Sequence, residues 1–400
     1  MSIEEKIGVE KLSLPAKIIL ELTKSLDISK TMYDDAENKF KAIAKYLGES
    51  NNPLLQEAHI YPQGSMRLGT VTKPMNQDEF DLDLVIHLPN VTKEISSEHI
   101  HKIIGDRLKE HSIYKELLIP LNRGWRIDYA SSFHLDITPS IHNPFGLGEE
   151  YHFVDTAEFV PDKKLQEGKD SNPRGYASWF DEIDKLIPIF SVPTFESAHI
   201  ASARDYKVDD LPEYKKFKGI IKRVVQLLKR HRDVYFNERE KALTDYKPIS
   251  VLVTTLAAKS YRKIIEDRIE YSCPFEMMKD IVKNMHTFIE KEYDGFYVKN
   301  PTNEKENFAE KWKTNKKYSE AFYQWQNAAY AELVKLQKPN GIDNIQKSLS
   351  ESYGQSYANK VISSLNSEVE DKRSKLILAP SILVSNAATN EIKTNTFFGE

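Results

Sequence analysis

The sequence predicts an α+β fold in which a mixed sheet with helices is followed by a mainly helical lobe, and three stretches of the chain predict it. Before residue 50, Phe40, Ile43, Ala44 and Leu47 recur at one-face helical spacing among Lys, Glu and Asp, with Gly48 as a stop. From Tyr61 to Phe153 the texture changes to short β-type runs, Asp81–Leu88, Trp125–Tyr129 and Phe133–Thr138, separated by Pro, Gly and Asn. Asp155–Pro173 reads as polar and irregular, and Gly175–Phe190 as helical, with Trp179, Phe180, Ile183 and Leu186 on one side. Beyond Tyr214 an apolar stripe of Phe217, Ile220, Ile221, Val224, Val225 and Leu228 opens a run of helical patterns that continues through Ala258, Ile289, Leu336 and Val361. The expected division is a sheet-bearing core with N-terminal helices over 1–190, a mainly helical lobe over 191–384 and a flexible tail over 385–400, where Asn and Thr replace any apolar period.

With 400 residues, 40% of them hydrophobic, the chain can build one large domain or two ordinary ones. No apolar run approaches the ~20 residues needed to cross a bilayer. The longest, Leu14–Leu22 and Ile249–Ala258, are broken by Lys or Thr, so no membrane association is expected. The N-terminus lacks the basic-then-apolar order of a secretory signal, and Cys273 is the only cysteine, which together favour a cytoplasmic location. A net charge of −4 argues against stable binding of nucleic acid by the whole surface.

The chemistry concentrates in Gln63-Gly64-Ser65 and in Phe80-Asp81-Leu82-Asp83-Leu84-Val85-Ile86. Side chains alternate along a strand, so Asp81, Asp83 and Val85 share one face, the two carboxylates about 6.5 Å apart. Such close carboxylates repel unless cations lie between them, and hard oxygen ligands suit two Mg²⁺ ions, or Mn²⁺. Two-metal phosphoryl transfer calls for a third carboxylate, and Phe133-His134-Leu135-Asp136-Ile137-Thr138 offers Asp136 on the polar face of another strand. Asp81, Asp83 and Asp136 are therefore the candidate catalytic and metal-binding residues. Gln63, Gly64 and Ser65 are candidates for seating a triphosphate, because glycine lets backbone amides approach phosphate. Asp128 is a rival third ligand, but it follows Arg126 on the same face and can simply pair with it. His87 and His134 read as ordinary polar strand residues, since no second His or Cys lies at metal-site spacing. An isolated Asp-x-Asp or Gly-Ser is weak; in this order and spacing they favour catalysis.

With these motifs in view, the chain resembles the cGAS/DncV-like nucleotidyltransferases, or CD-NTases, of bacterial CBASS anti-phage defence. The resemblance extends through Arg126-Ile127-Asp128-Tyr129, Ser171-Asn172-Pro173-Arg174-Gly175-Tyr176, Gln226-Leu227-Leu228-Lys229-Arg230-His231-Arg232-Asp233, Pro248-Ile249-Ser250, Asn300-Pro301 and Glu306-Asn307-Phe308-Ala309-Glu310-Lys311-Trp312. It implies a polymerase-β-like core joined to an oligoadenylate-synthetase-like helical lobe, with the active site in the cleft between. It also implies that Lys229 and Ser250 touch the donor triphosphate, and that ATP, with GTP, UTP or CTP as further candidates, is converted with pyrophosphate release into a cyclic di- or trinucleotide. Some relatives use the C-terminal tail for a regulatory protein, which makes such a partner an expectation here. The residues alone leave Ser250 open between a plain helix cap and an anion contact. The basic run Lys215, Lys216, Lys218, Lys222, Arg223, Lys229, Arg230 and Arg232 reads by default as the solvated face of an amphipathic helix. Two alternatives remain: a linear oligonucleotide synthase of the 2′-5′ oligoadenylate type, and a catalytically silent nucleotide or RNA sensor.

Overall fold

Two helices open the described chain and go to different places. In α1 (Leu14–Ser25), Ile18, Ile19 and Leu22 are buried in a helical core; in α2 (Lys30–Gly48), Ala36, Phe40, Ile43 and Leu47 are buried against a sheet. Ser29 caps α2 by accepting from the Met32 amide. The structure, a computed structural model, describes residues 13–74, 80–91, 94–129, 133–143, 158–162, 168–191, 218–338 and 341–378. Asp78, Glu79, Lys215, Lys216, Phe217 and the expected tail over 385–400 lie outside them.

The sheet is built from β1 (His59–Gln63), β2 (Phe80–Leu88), β3 (Leu118–Leu121), β4 (Gly124–Tyr129) and β5 (Phe133–His142), in the order β1-β2-β5-β4-β3. β2 and β5 run parallel, and β1 and β4 flank them antiparallel. The alternation read from sequence fixes which face is apolar: Leu82, Leu84, Leu135 and Ile137 are fully buried, packed with α2 and with Ile100, Ile104 and Leu108 of α4 (Ser97–Lys109). Between β1 and β2 lies one helical turn, α3 (Gly64–Arg67).

The stretch Asp155–Pro173, expected to be irregular, contains two short strands, β6 (Glu158–Val160) and β7 (Lys169–Ser171), which extend the sheet from the end of β5. Tertiary partners make the first of them a strand. Glu158 is completely buried, where Tyr61 of β1 donates to it and the Arg174 guanidinium lies 3.5 Å away. No local alternation signals this.

α5 (Pro173–Asp184) starts on a proline behind a capping asparagine, the expected grammar of a helix start. Asn172 is fully buried; its Oδ1 accepts from the Gly175 amide at 2.9 Å, and its Nδ2 donates to the Thr302 carbonyl at 3.0 Å. The rest is helical: α6 (Ile220–Val234), α7 (Ser250–Glu266), α8 (Pro274–Asn284), α9 (Lys317–Gln337), α10 (Ile342–Tyr353) and α11 (Gln355–Leu378). Their apolar core includes Tyr176, Trp179 and Phe180 of α5 and the buried face of α1. No helix among the described residues is long and apolar enough to cross a membrane.

The basic residues of α6 are not a solvated face. Arg223, Lys229, Arg230 and Arg232 are buried, because α6 is enclosed by other elements and each cation has found an acceptor. Arg223 reaches Asp27 at 2.8 Å and the Thr23 carbonyl at 3.0 Å, and Arg230 donates to the Lys73 carbonyl and, at 2.9 Å, to the Tyr357 hydroxyl. Lys218 and Lys222 pair with Asp27 and Asp184 at 2.8 and 2.7 Å.

Asn172→Ala removes a helix cap and leaves the Thr302 carbonyl buried without its donor. The expected loss is about 2–3 kcal/mol, read as a lower urea midpoint at unchanged slope. A loss below about 0.5 kcal/mol would show that this junction does not hold α5 in place.

Candidate active site

Strand register does most of the assembly. Along the parallel β2–β5 pair, Asp83 stands directly beside Asp136 and Asp81 beside His134, while Gln63 of β1 stands beside Asp83 on its other flank. Asp81 is exposed, and Asp83 and Asp136 are partly covered, so the three acids share an accessible edge. That face is polar only here. Val85, expected on it, is buried, as is His87, whose Nδ1 lies 3.0 Å from the Ser140 hydroxyl.

The turn expected at Gly64-Ser65 is the one-turn helix α3, entered through a left-handed residue: Gly64 has φ of +65°. A Cβ there would lie 2.1 Å from Asp83 Oδ2, so only glycine lets the turn approach the carboxylate. Ser65 sits next on the same turn, and its carbonyl accepts from the Thr70 amide at 2.9 Å. The chain after α3 is strapped to α6: Gln226 donates to the Val71 carbonyl at 2.7 Å and Lys229 to the Thr70 carbonyl at 3.2 Å. This strap brings the Lys229 ammonium into the field of Asp83.

The electrostatics are those of crowded anions. Enclosure, then the charges of Asp136 and Asp81, push the Asp83 carboxyl up to about 7, against the pull of Lys229 and Arg126. Enclosure and Asp136 also raise Asp81. Burial, then the neighbouring Arg232, lowers Lys229 to about 8. Crowded carboxylates with hard oxygen donors fit a divalent cation, which would relieve the repulsion felt by Asp81 and Asp83. Among the described residues, however, no three His, Cys, Asp or Glu side chains already converge on one point. Asp136 is turned aside: its Oδ1 accepts from Arg126 Nε at 2.6 Å and its Oδ2 from Arg126 Nη2 at 2.8 Å.

Arg126 thus pairs with Asp136 and not with Asp128, because the β4–β5 register sets it opposite Asp136. Asp128 instead stands opposite His134, 3.5 Å from its Nδ1. The sequence carries no signal for this swap, since alternation defines each strand but not the offset between strands. Ser250 is the first residue of α7, behind Ile249 as the capping position, and makes no cap; its hydroxyl accepts from Arg232 Nη1 at 2.9 Å. Arg232, read from sequence as part of a solvated basic face, joins Ser250 to the neighbourhood of Lys229.

Acidic oxygens gathered beside a glycine-led turn are what metal-assisted transfer of a nucleotidyl group requires. A mixed sheet of this order carrying them, with helices beyond, makes the chain a nucleotidyltransferase with a polymerase-β-like core. Residues 15–184 match the Second Messenger Oligonucleotide or Dinucleotide Synthetase domain, and the chain is similar to the cGAS/DncV-like nucleotidyltransferases. It is 29% identical over 395 residues to a c-di-GMP synthase of Roseivirga ehrenbergii, covering 96% of each chain. In fold it is similar to CdnG of Bradyrhizobium diazoefficiens, solved in complex with GTP, with a TM-score of 0.65, 19% identity, and 88% of this chain and 100% of that one covered. It is likewise similar to CdnC of E. coli MS115-1, solved in a complex with HORMA-deltaN, with a TM-score of 0.59, 13% identity, and 86% and 98% covered.

Two outcomes follow from this geometry. Gly64→Ala would force the turn off Asp83, and activity should fall at least ~100-fold with the fold retained, as circular dichroism would show. Because the Asp83 carboxyl is raised in the folded chain, it stabilises the metal-free protein below its unfolded value near 4, and that contribution disappears as pH rises through about 7. Asp83→Asn should therefore raise the metal-free melting temperature at pH 8 by roughly 2–4 °C and change it little at pH 4. A lower melting temperature at pH 8 would contradict the crowded-anion picture.

Proposed function

We propose that this enzyme joins nucleoside triphosphates into a cyclic di- or trinucleotide second messenger for anti-phage signalling, releasing pyrophosphate at each step. The observation that carries the reading is the in-register adjacency of Asp83 and Asp136, with Asp81 one step along and Gly64 against Asp83. Mg²⁺ or Mn²⁺ is the proposed cofactor, two ions held by Asp81, Asp83 and Asp136. Bound there, they would make the attacking ribose hydroxyl more acidic and neutralise the departing pyrophosphate.

The chain's own groups supply the rest. Gly64 and Ser65, with Gln63 at the entry to the turn, are placed to admit and hold the triphosphate beside the carboxylates. Lys229, lowered only to about 8 and so still charged at neutral pH, offers a cation from the helical side. Ser250, whose oxygen accepts from Arg232, keeps its own proton free to donate to a phosphate oxygen. A 2′ or 3′ oxygen bonds to the α-phosphorus, the bond to the pyrophosphate oxygen breaks, and in this reading Asp136 takes the hydroxyl proton once Arg126 has released one of its oxygens. Closing a ring requires that the linear intermediate turn over and present its other end to the same three acids.

In the proposed division, 1–190 forms the nucleotidyltransferase core, 191–384 the helical lobe and 385–400 a tail, with the cleft between core and lobe. GTP and ATP are the substrates we favour, and the name of the Roseivirga relative supports guanine as one base. The HORMA complex of CdnC supports a regulatory protein as partner, with the tail as its docking segment. The cytoplasm is the proposed location.

Purified protein supplied with the four triphosphates and Mg²⁺ should release pyrophosphate and yield a product that phosphatase does not shorten. Asp81→Ala, Asp83→Ala and Asp136→Ala should each lower the rate at least ~1,000-fold while melting cooperatively. Normal turnover in any of them would refute the assignment, and a phosphatase-sensitive product would refute cyclisation. Lys229→Met should raise the KM for triphosphate ~10–100-fold with a smaller effect on kcat.

A further inference from the structure

Arg126 holds a position that the proposed chemistry does not use. Its guanidinium engages both oxygens of Asp136, at 2.6 and 2.8 Å, and its Nη2 lies 3.6 Å from Asp81 Oδ1. A single cation thus bridges two of the carboxylates proposed to hold metal. The arrangement is built into the sheet, because Arg126 and Asp136 are paired residues on β4 and β5. A planar fork against a carboxylate is the strong form of an ion pair, and a guanidinium cannot be discharged by losing a proton. A divalent ion that is to use Asp136 therefore competes with Arg126 for its oxygens.

We propose that Arg126 is a built-in competitor of the divalent cation: in the nucleotide-free chain it occupies Asp136 and keeps the site from loading metal, and it gives way as ion and triphosphate enter. This rests on the reading that Asp81, Asp83 and Asp136 hold the ions. The guanidinium side chain is partly exposed, 28% against 19% for Asp136, so it has room to leave towards solvent or towards an incoming phosphate. The competitor also keeps three carboxylates from standing together without a counter-charge, so the idle enzyme tolerates its own active site.

The opposite role is equally well defined, since an arginine that merely orients Asp136 for the ion would weaken metal binding when removed. The sign of the effect decides. Mn²⁺ binding to the nucleotide-free protein should be measured by calorimetry and by the loss of free Mn²⁺ signal in electron paramagnetic resonance. Arg126→Gln should bind Mn²⁺ ~10-fold tighter than wild type, melt lower without metal, and recover most of that difference at saturating Mn²⁺. Arg126→Lys keeps the charge but loses the fork, and should bind ~3-fold tighter; it serves if the Gln variant does not fold. Unchanged or weaker Mn²⁺ binding by a folded Arg126 variant overturns the proposal. Asp83→Asn in the wild-type background separates the two readings: if it leaves Mn²⁺ binding untouched, the metal site itself is misassigned, and the inference falls with it.

Discussion

Like charges held side by side are the constraint around which this molecule is arranged. Asp83 and Asp136 are neighbours on parallel strands, and Asp81 is one step along, so the sheet concentrates negative charge at a single edge. Without compensation such a cluster opposes its own folding, and enclosure together with the charges of Asp136 and Asp81 raises the Asp83 carboxyl to about 7. Compensation comes from two directions: Arg126 on the next strand grips Asp136, and Lys229 approaches Asp83 from the helical side. The same repulsion that costs stability would be relieved by a divalent cation. A comfortable, neutralised version of this edge would be a poorer site.

Lys229 reaches that edge because α6 is tied to the strap after α3. Lys229, Gln226 and Arg230 all donate to backbone carbonyls of residues 70–73, and Arg223 joins Asp27 between α1 and the sheet side. These buried cations and amides have their acceptors on α1, at Asp27 and on the segment after α3. They therefore act as mortar between the two apolar cores, which share few residues in sequence order: α1 and α5 pack with the late helices, α2 with the sheet. Helix α5 is fixed at its start by Asn172, which also reaches the Thr302 carbonyl in the later half of the chain. Candidate site residues and their supporting helices are thus positioned by hydrogen bonds that span more than a hundred residues.

Much of the candidate site was legible beforehand, and for a local reason. Asp81, Asp83 and Asp136 stand in apolar alternations long enough to define a strand and its two faces, so their shared exposure followed from period alone. Gly64 was legible as a turn, though not as the residue whose missing Cβ clears Asp83. What failed were readings that depended on neighbours. Arg126 was matched with Asp128 by proximity along the strand, whereas the register gave it Asp136. The basic stripe on α6 looked solvated because charge patterning carries no information about enclosure. Ser250, left open by the sequence between a cap and an anion contact, makes no cap, and its oxygen accepts from Arg232. Short strands β6 and β7 escaped detection because pairing partners, not alternation, make them strands.

The amino-acid sequence by itself determined the fold class, the strand that carries two acids, the strand that carries the third, and the glycine turn that precedes them. Each of these depends on periodicity or conformational preference within a dozen residues. Only the tertiary structure decided the offset between β4 and β5, the enclosure of α6 and the passage of Lys229 across to Thr70. Those are set by how separately specified elements dock, and docking is a sum of many small contacts over the whole chain that no local window contains.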